Sequence, residues 1–435
     1  SITVNLTGAG MGTVNDGYGG TDTVSNIDKF LGTIYGDTFN GDGGDDIFYG
    51  KDGDDAFDGA AGSDTLIGGA GDDTFNFVTG DVGASEVIHG DEGTMDTLKV
   101  MAGESVDFTN ADISGVEWLW VTTGGTATLA YTDDPATSQL ADFTDFMTSG
   151  TATAETINLT TADGSGVTLD LSGLTFNNWE DGTDVLNVTG GSGDDTITGT
   201  NYADTIDGGD GDDTLVGGLG DDSLTGGVGS MDAADYGAST GAITVDLNAG
   251  TADDGMGGTD TLSGIEKILG SEWDDTITGT GQDNYLYGND GDDIIAGDQG
   301  TNVLWGGMGA DTFNLTAVMT NTLFYADAAE GGDTVSGFDE NNVFFHCYSD
   351  TFGDLDAGAT GNGTLDASRF FTSFAAAQAS GSGAGFVLEA DTTLYYCTDL
   401  ATASATDQVV AGADSASGFQ YMDNTNIVLT DTMLT

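Results

Sequence analysis

Basic residues are nearly absent from this chain. Only 5 Lys and Arg stand among 435 residues, against 74 Asp and Glu, for a net charge of −69. With almost nothing to meet phosphate, nucleic acid is excluded as a partner, and an anionic membrane surface is disfavoured for the same reason. Proline occurs once, so proline-rich linkers are missing. No apolar run reaches the roughly 18 residues of a membrane-spanning helix, and no N-terminal signal peptide is visible. The 2 histidines and 2 cysteines offer little to a zinc ion. Cys347 and Cys397 lie in strand-like aromatic stretches, VFFHCY and LYYC, and are compatible with a disulfide or with two buried thiols.

What is present is equally biased. Of the acids, 63 are Asp and 11 Glu. Asp is the shorter, turn-compatible carboxylate and can ligate a hard cation beside its own backbone. A hydrophobic content of 38%, with 9% aromatics, separates the chain from a disordered acidic tail. A packable sequence with so much like charge requires counter-cations. The 73 glycines recur at fixed steps, which predicts turns with positive φ and not flexible spacers.

Between Gly41 and Asn76 one nine-residue phrase runs four times: GDGGDDIFY, GKDGDDAFD, GAAGSDTLI, GGAGDDTFN. It returns at 190–225 and 270–314. Its form, G-G-x-G-x-D-x-U-x with U apolar, is that of a calcium-binding β-helix nonapeptide. In GGDGDDTLV (208–216) the first six residues turn and the last three extend, with Leu215 facing inward. Two phrases make one turn of a flattened right-handed coil, so residues eighteen apart stack. Calcium then sits between turns, held by carboxylates and carbonyls. The predicted ligands are Asp37, Asp55 and Asp73 on one edge of the first block and Asp46 and Asp64 on the other. They continue as Asp195 with Asp213, Asp204 with Asp222, and then Asp275, Asp293 and Asp311. Opposite this last set stand Asn284 and Asn302, which offer oxygen without charge, so weaker or absent metal is expected there. The extra Asp of many rows (Asp45, Asp54, Asp72, Asp194, Asp212, Asp221, Asp292) reads as a solvated negative edge, with direct ligation the alternative.

The predicted core is the column Phe48, Phe57, Leu66, Phe75, then Ile197, Ile206, Leu215, Leu224, then Ile277, Leu286, Ile295, Leu304, Phe313. About one large side chain per nine residues is too thin to offset backbone ordering alone, so metal must contribute folding free energy.

The expected fold class is all-β: right-handed parallel β-roll blocks with intervening β-rich segments and a β-rich C-terminal domain. The segments are 1–76 (a leading β module plus the first roll), 77–189 (β-rich), 190–314 (two further blocks joined by a β module at 231–269) and 315–435 (a β-rich cap and secretion-signal region). For 77–189 a β-sandwich and an irregular continuation of the coil both fit, and the coil is preferred. A helix is possible over 369–378. The leading module has an internal copy: GGTDTVSNIDKFLGT (19–33) matches GGTDTLSGIEKILGS (257–271). It reads as a short β-coil covering the first rung. The second copy is preceded by DAADYGASTGA, which the first lacks, and the chain opens without Met, so it looks processed or excerpted from something longer.

These rows resemble the RTX (repeats-in-toxin) family of bacterial exoproteins. The likeness extends to the ADYGASTGAITVDL…GGTDTLSGIEKILGS module, to GGDTVSGFD (331–339), and to TTLYYCTD (392–399), where Cys397 stands in place of the usual Asp. The resemblance implies type I export with an uncleaved C-terminal signal. It implies a chain unfolded in the low-calcium cytosol that folds outside from its C-terminal end. It does not decide activity.

No HExxH motif occurs. His89 and His346 read as ordinary surface or core residues. The one G-x-S-x-G, Gly237 to Gly241 around Ser239, precedes a strand and not a helix, so it reads as chance. Trp118 and Trp120 around Leu119 read as sheet packing before a sugar platform. No carboxylate pair stands out for glycosidase chemistry. No catalytic residue is therefore assigned. The expectation is an extracellular calcium-binding structural protein that self-associates into a surface layer or filament, with cell-surface polysaccharide a further possible partner. The alternatives are the RTX portion of a larger secreted enzyme or toxin, or a calcium-dependent adhesin.

Overall fold

The computed structural model describes residues 1–315 except Ala9, Asp28, 132–137, Ala141, 162–163 and Ser165, and beyond them the strands Thr320–Tyr325, Asp333–Ser336, Val343–Cys347, Phe370–Phe371, Gly385–Leu388, Thr393–Cys397, Gln408–Ala413 and Gln420–Tyr421. Among the described residues every regular element is a strand. Most of the helix considered over 369–378, and the cysteine side chains, lie outside them, although Phe370–Phe371 is extended. The chain forms two compact units, Ser1–Gly211 and Asp212–Thr435.

In the first unit the nonapeptide rows wind as two parallel sheets. Each row ends in a strand whose middle residue is apolar, and consecutive rows alternate between the two faces. One face stacks Lys29–Leu31, Ile47–Asp52, Thr65–Ala70 and Val87–Glu92; the other stacks Thr38–Asn40, Ala56–Asp58, Thr74–Phe77 and Thr97–Val100. Register follows the apolar residue: Phe39 opposes Phe57, Phe57 opposes Phe75, and Phe75 opposes Leu98. A shift of one residue would turn the column out to solvent, so the register is strongly specified.

Residues 77–189 continue the same winding with longer turns. Trp118–Val121, Asp145–Met147 and Thr175–Asn177 add successively in parallel to Thr97–Val100. A third parallel stack, Ser105–Asp107, Thr126–Ala130, Thr156–Thr160 and Val185–Ser192, opens beside them. The coil thus widens where the nine-residue rhythm fails. Leu119 turns inward and is fully buried, while Trp118 and Trp120 are partly exposed. The Lys99 ammonium lies 4.1 Å from the centre of the Trp120 ring, a cation–π contact across neighbouring strands.

The leading module is an antiparallel meander. Thr3–Gly8 pairs with Met11–Asn15, which pairs with Thr21–Val24, and Thr3–Gly8 also lies parallel to Thr38–Asn40 of the coil. In the second unit the copied module makes the same meander from Thr244–Asp246, Thr251–Asp253 and Thr259–Ser263. Here both outer strands meet coil rows: Thr244–Asp246 with Thr276–Thr278, and Thr259–Ser263 with Ser223–Thr225. The coil then resumes with Tyr285–Asp290, Ile294–Asp298, Thr301–Met308 and Thr312–Leu315.

All thirteen residues of the predicted column are buried, and Phe39, Val4 and Leu98 extend it in the first unit. The rings of Phe39, Phe57 and Phe75 stack with centroids 5.1 and 5.0 Å apart and planes within 11° of parallel. Phe57 is the middle ring. Phe57→Ala should therefore cost about 3–5 kcal/mol, read as a lower urea midpoint at fixed saturating calcium; a midpoint unchanged within error would show that this stack does not hold the first unit.

Candidate metal centre

Each row brings an Asp side chain under the turn of its own strand. The residue is held by its neighbours above and below. The Asp37 amide donates to Asp55 Oδ1 at 2.6 Å, Asp55 to Asp73 at 2.7 Å, Asp46 to Asp64 at 2.8 Å, Asp275 to Asp293 at 2.7 Å and Asp293 to Asp311 at 2.9 Å. These are the eighteen-residue steps read from the repeat. All twelve predicted ligands are buried, none more than 2% exposed. Asp195 and Asp204 lie in the first unit and Asp213 and Asp222 in the second. Asp195 accepts from the Val167 amide and Asp204 from the Thr200 amide; the Asp213 amide donates to Asp232 and that of Asp222 to Asp260.

One oxygen of each carboxylate is consumed by this ladder. The other points elsewhere. Oδ2 of Asp55, Asp64, Asp73 and Asp293 is buried and accepts no hydrogen bond. A buried anionic oxygen without a partner is costly. Its surroundings show what it awaits. A Cβ built on Gly288 would meet Asp293 Oδ2 and, at 2.6 Å, the Gly306 carbonyl oxygen. At Gly50 it would meet Asp55 Oδ2 and, at 2.6 Å, the Gly68 carbonyl; at Gly68, Asp73 Oδ2 and, at 2.9 Å, the Gly90 carbonyl. The missing Cβ therefore leaves a cradle between a carboxylate and the carbonyl of the next row. Among the described residues no three His, Cys, Asp or Glu side chains converge as a metal cluster, so coordination must draw on carbonyls. All-oxygen donors on a pliant turn fit calcium.

Electrostatics agree with that fit. Burial pushes Asp55 and Asp73 up to about 7 and Asp64 and Asp293 up to about 8; the accepted amide bonds oppose this, and neighbouring carboxylates add to it. A carboxyl raised above its unfolded value of 3.8 favours the metal-free fold only while protonated. That contribution is complete below the unfolded value and is lost as pH rises through 7 to 8. At neutral pH a cation must take the proton's place.

The extra Asp of many rows lies on the solvent-exposed edge, as expected of it, and has a further role there. Although exposed, it builds a second ladder running the opposite way. Asp45 Oδ1 accepts from the Ser63 amide at 2.9 Å, Asp54 from Asp72 at 3.1 Å, Asp221 from Thr259 at 2.8 Å and Asp292 from Ala310 at 2.8 Å. The Asn edge also differs. The Asn284 amide donates to Asn302 Oδ1 at 3.0 Å, so the inner ladder persists, but at Gly297 it is the Asn302 amide nitrogen that faces the cradle.

The inner ladder runs further than the repeats suggest. Asp64 donates its amide to Glu86, Asp73 to Asp96 at 2.7 Å, and Asp96 to Glu117 at 3.0 Å. Glu155 and Asp184 form a later rung, linked at 3.1 Å. Burial raises Glu86 and Asp96 to about 7. A strict nine-residue template misses these residues because their turns carry insertions; a template of Gly followed by a variable gap and then Asp-Thr-apolar would have found Asp96.

The remaining sequence candidates do not assemble. His89 Nε2 stands 3.6 Å from Asp112 Oδ2 near the surface. Ser239 is buried in a turn between strands Ala233–Asp235 and Thr244–Asp246. The side chain of His346 lies outside the described residues.

A family model, the RTX calcium-binding nonapeptide repeat (4 copies), matches residues 22–57, 31–66, 49–81, 189–229, 269–304 and 299–317. No curated protein matches the chain.

Two outcomes follow. Lowering pH from 8 to 6 should weaken apparent calcium affinity by at least about tenfold, since one proton-competing carboxylate titrating near 7 already contributes that much; calcium titration followed by circular dichroism measures it, and a pH-independent affinity would contradict the buried ladder. Asn302→Asp should restore a charged ligand to the bare edge and add one bound calcium per chain, counted by native mass spectrometry.

Proposed function

From a chain that carries RTX calcium-binding nonapeptide repeats, we propose an extracellular structural protein, exported by a type I route, that folds on meeting calcium and associates with further copies of itself into a layer or filament. It is assigned no catalytic role. The observation that supports association is the contrast between the two meanders. In the second unit a coil row lies along Thr259–Ser263, and Leu262, Ile265 and Asp260 are buried. In the first unit the matching strand Thr21–Val24 ends the sheet among the described residues. There Ile27, the counterpart of Ile265, is 38% exposed, and beside it in sequence Leu31, Ile34 and Tyr35 are 54%, 62% and 63% exposed. At Ile27 and Asp22 the same motif thus presents to solvent what it buries, at Ile265 and Asp260, when a coil row is alongside. An open strand edge with apolar neighbours is a template for pairing.

Calcium enters twice in this reading. It closes the rows, and it lowers the repulsion between faces that would otherwise carry bare carboxylates. The test is electron microscopy and analytical ultracentrifugation in millimolar calcium and after EDTA. Assembly should form in calcium, vanish with its removal, and fail in Ile27→Asp although that variant still folds with calcium. A protein that stays monomeric in calcium, or an assembly that survives complete chelation, overturns the proposal.

A further inference from the structure

Two rows, one outside the family matches and one running past the end of the match at 189–229, share a phrase that the nonapeptide form does not describe. Residues 90–96 read GDEGTMD and 226–232 read GGVGSMD. In both, Asp comes six residues after the first Gly and not five. Both are followed in space by the same second phrase, SGVE at 114–117 and SGIE at 263–266. The first pair lies wholly within one unit and the second wholly within the other.

The two places are built alike. The Asp73 amide donates to Asp96 Oδ1 at 2.7 Å, and the Asp213 amide to Asp232 Oδ1 at 2.9 Å. The Asp96 amide donates to Glu117 Oε2 at 3.0 Å, and the Asp232 amide to Glu266 Oε2 at 3.3 Å. Gly115 and Gly264 take φ of 60° and 63°, a left-handed turn that L-residues avoid. The inserted Met95 and Met231 are exposed, 45% and 39%, so the extra residue bulges outward and leaves the inner geometry intact. Asp96 and Asp232 are buried.

The cradle of the nonapeptide rows is reproduced at both. A Cβ on Gly90 would lie 2.6 Å from Asp96 Oδ2 and against the Gly115 carbonyl oxygen. On Gly226 it would lie 2.7 Å from Asp232 Oδ2 and against the Gly264 carbonyl. On Gly93 it would meet Asp96 Oδ2 again, with the Gly71 carbonyl oxygen 2.5 Å away. Asp96 Oδ2 is buried and accepts no hydrogen bond. A fully buried anionic oxygen facing two carbonyl oxygens has no donor to satisfy it, and a hard cation is what such a set binds.

We propose that Asp96 with the Gly71 and Gly115 carbonyls, and Asp232 with the Gly264 carbonyl, form two additional calcium sites specified by the phrase G-x-x-G-[ST]-M-D followed by S-G-[VI]-E. Each lies where nonapeptide rows give way to another geometry, the widened coil in the first unit and the meander in the second. The ion clamps that change of winding. The inference stands whether or not the protein assembles.

The full chain saturated with calcium provides the test, with bound ions counted by native mass spectrometry. Asp96→Asn and Asp232→Asn should each lose one calcium and the double variant two, with the circular dichroism of the saturated protein unchanged. Thr94→Ala should keep the full complement, because its hydroxyl reaches Asp72 on the outer ladder and not the cradle. An unchanged count in the Asp variants overturns the proposal. Should either variant fail to fold, terbium in crystals of the unaltered protein replaces the count. An anomalous peak beside Asp96 Oδ2 and the Gly115 carbonyl supports the site; no peak there, with peaks in the nonapeptide cradles, overturns it.

Discussion

A carboxylate oxygen sealed away from water, with no proton donor to meet it, is the condition around which this molecule is arranged. Asp55, Asp64, Asp73 and Asp293 each spend one oxygen on the amide of the stacked row and turn the other towards a glycine whose absent side chain leaves room for an ion. Without a cation, burial drives these groups to bind protons near neutrality. The fold is therefore conditional on its solvent in a way that a hydrocarbon core is not. The apolar column is real and well stacked, but it is one residue wide on each face and rests on the same rows that the carboxylates divide.

The two Asp ladders explain why the rows tolerate so much like charge. Inner carboxylates accept amides from one direction and outer carboxylates from the other, so rows stacked eighteen residues apart are tied on both sides of the turn. Each bond places a negative oxygen on a backbone N–H, which stabilises the ionised form locally. The arrangement asks only that Gly and Asp keep their relation in space. Row length is free to change outside that relation, which is how the coil passes from nonapeptides to longer turns without losing the inner ladder at Asp96 and Glu117.

This freedom also marks the limit of what a periodic reading can reach. The step from Asp55 to Asp73 follows the repeat; the step from Asp73 to Asp96 does not, because the intervening turn lengthens and Met95 bulges out. Glu86 and Glu117 are hidden further by their longer side chains, which let them reach the same amides from different backbone positions. The extra Asp of many rows is exposed, as its sequence position predicts, but a single row gives no hint that its partner is an amide in another turn. That the Asn edge lacks charge is legible in the sequence, since it depends on residue type alone.

Local chemistry was written in the chain itself. Gly where φ must be positive, Asp one turn later and an apolar residue two positions beyond determine a short turn-and-strand unit and its preference for a hard cation, because each of those choices acts within a few covalent bonds. Which carboxylates stack, which oxygen is left unmet, and which meander keeps an open edge were decided only in three dimensions. They depend on what the winding sets beside each row, and chain separation alone does not reveal a neighbour when the turns between differ in length.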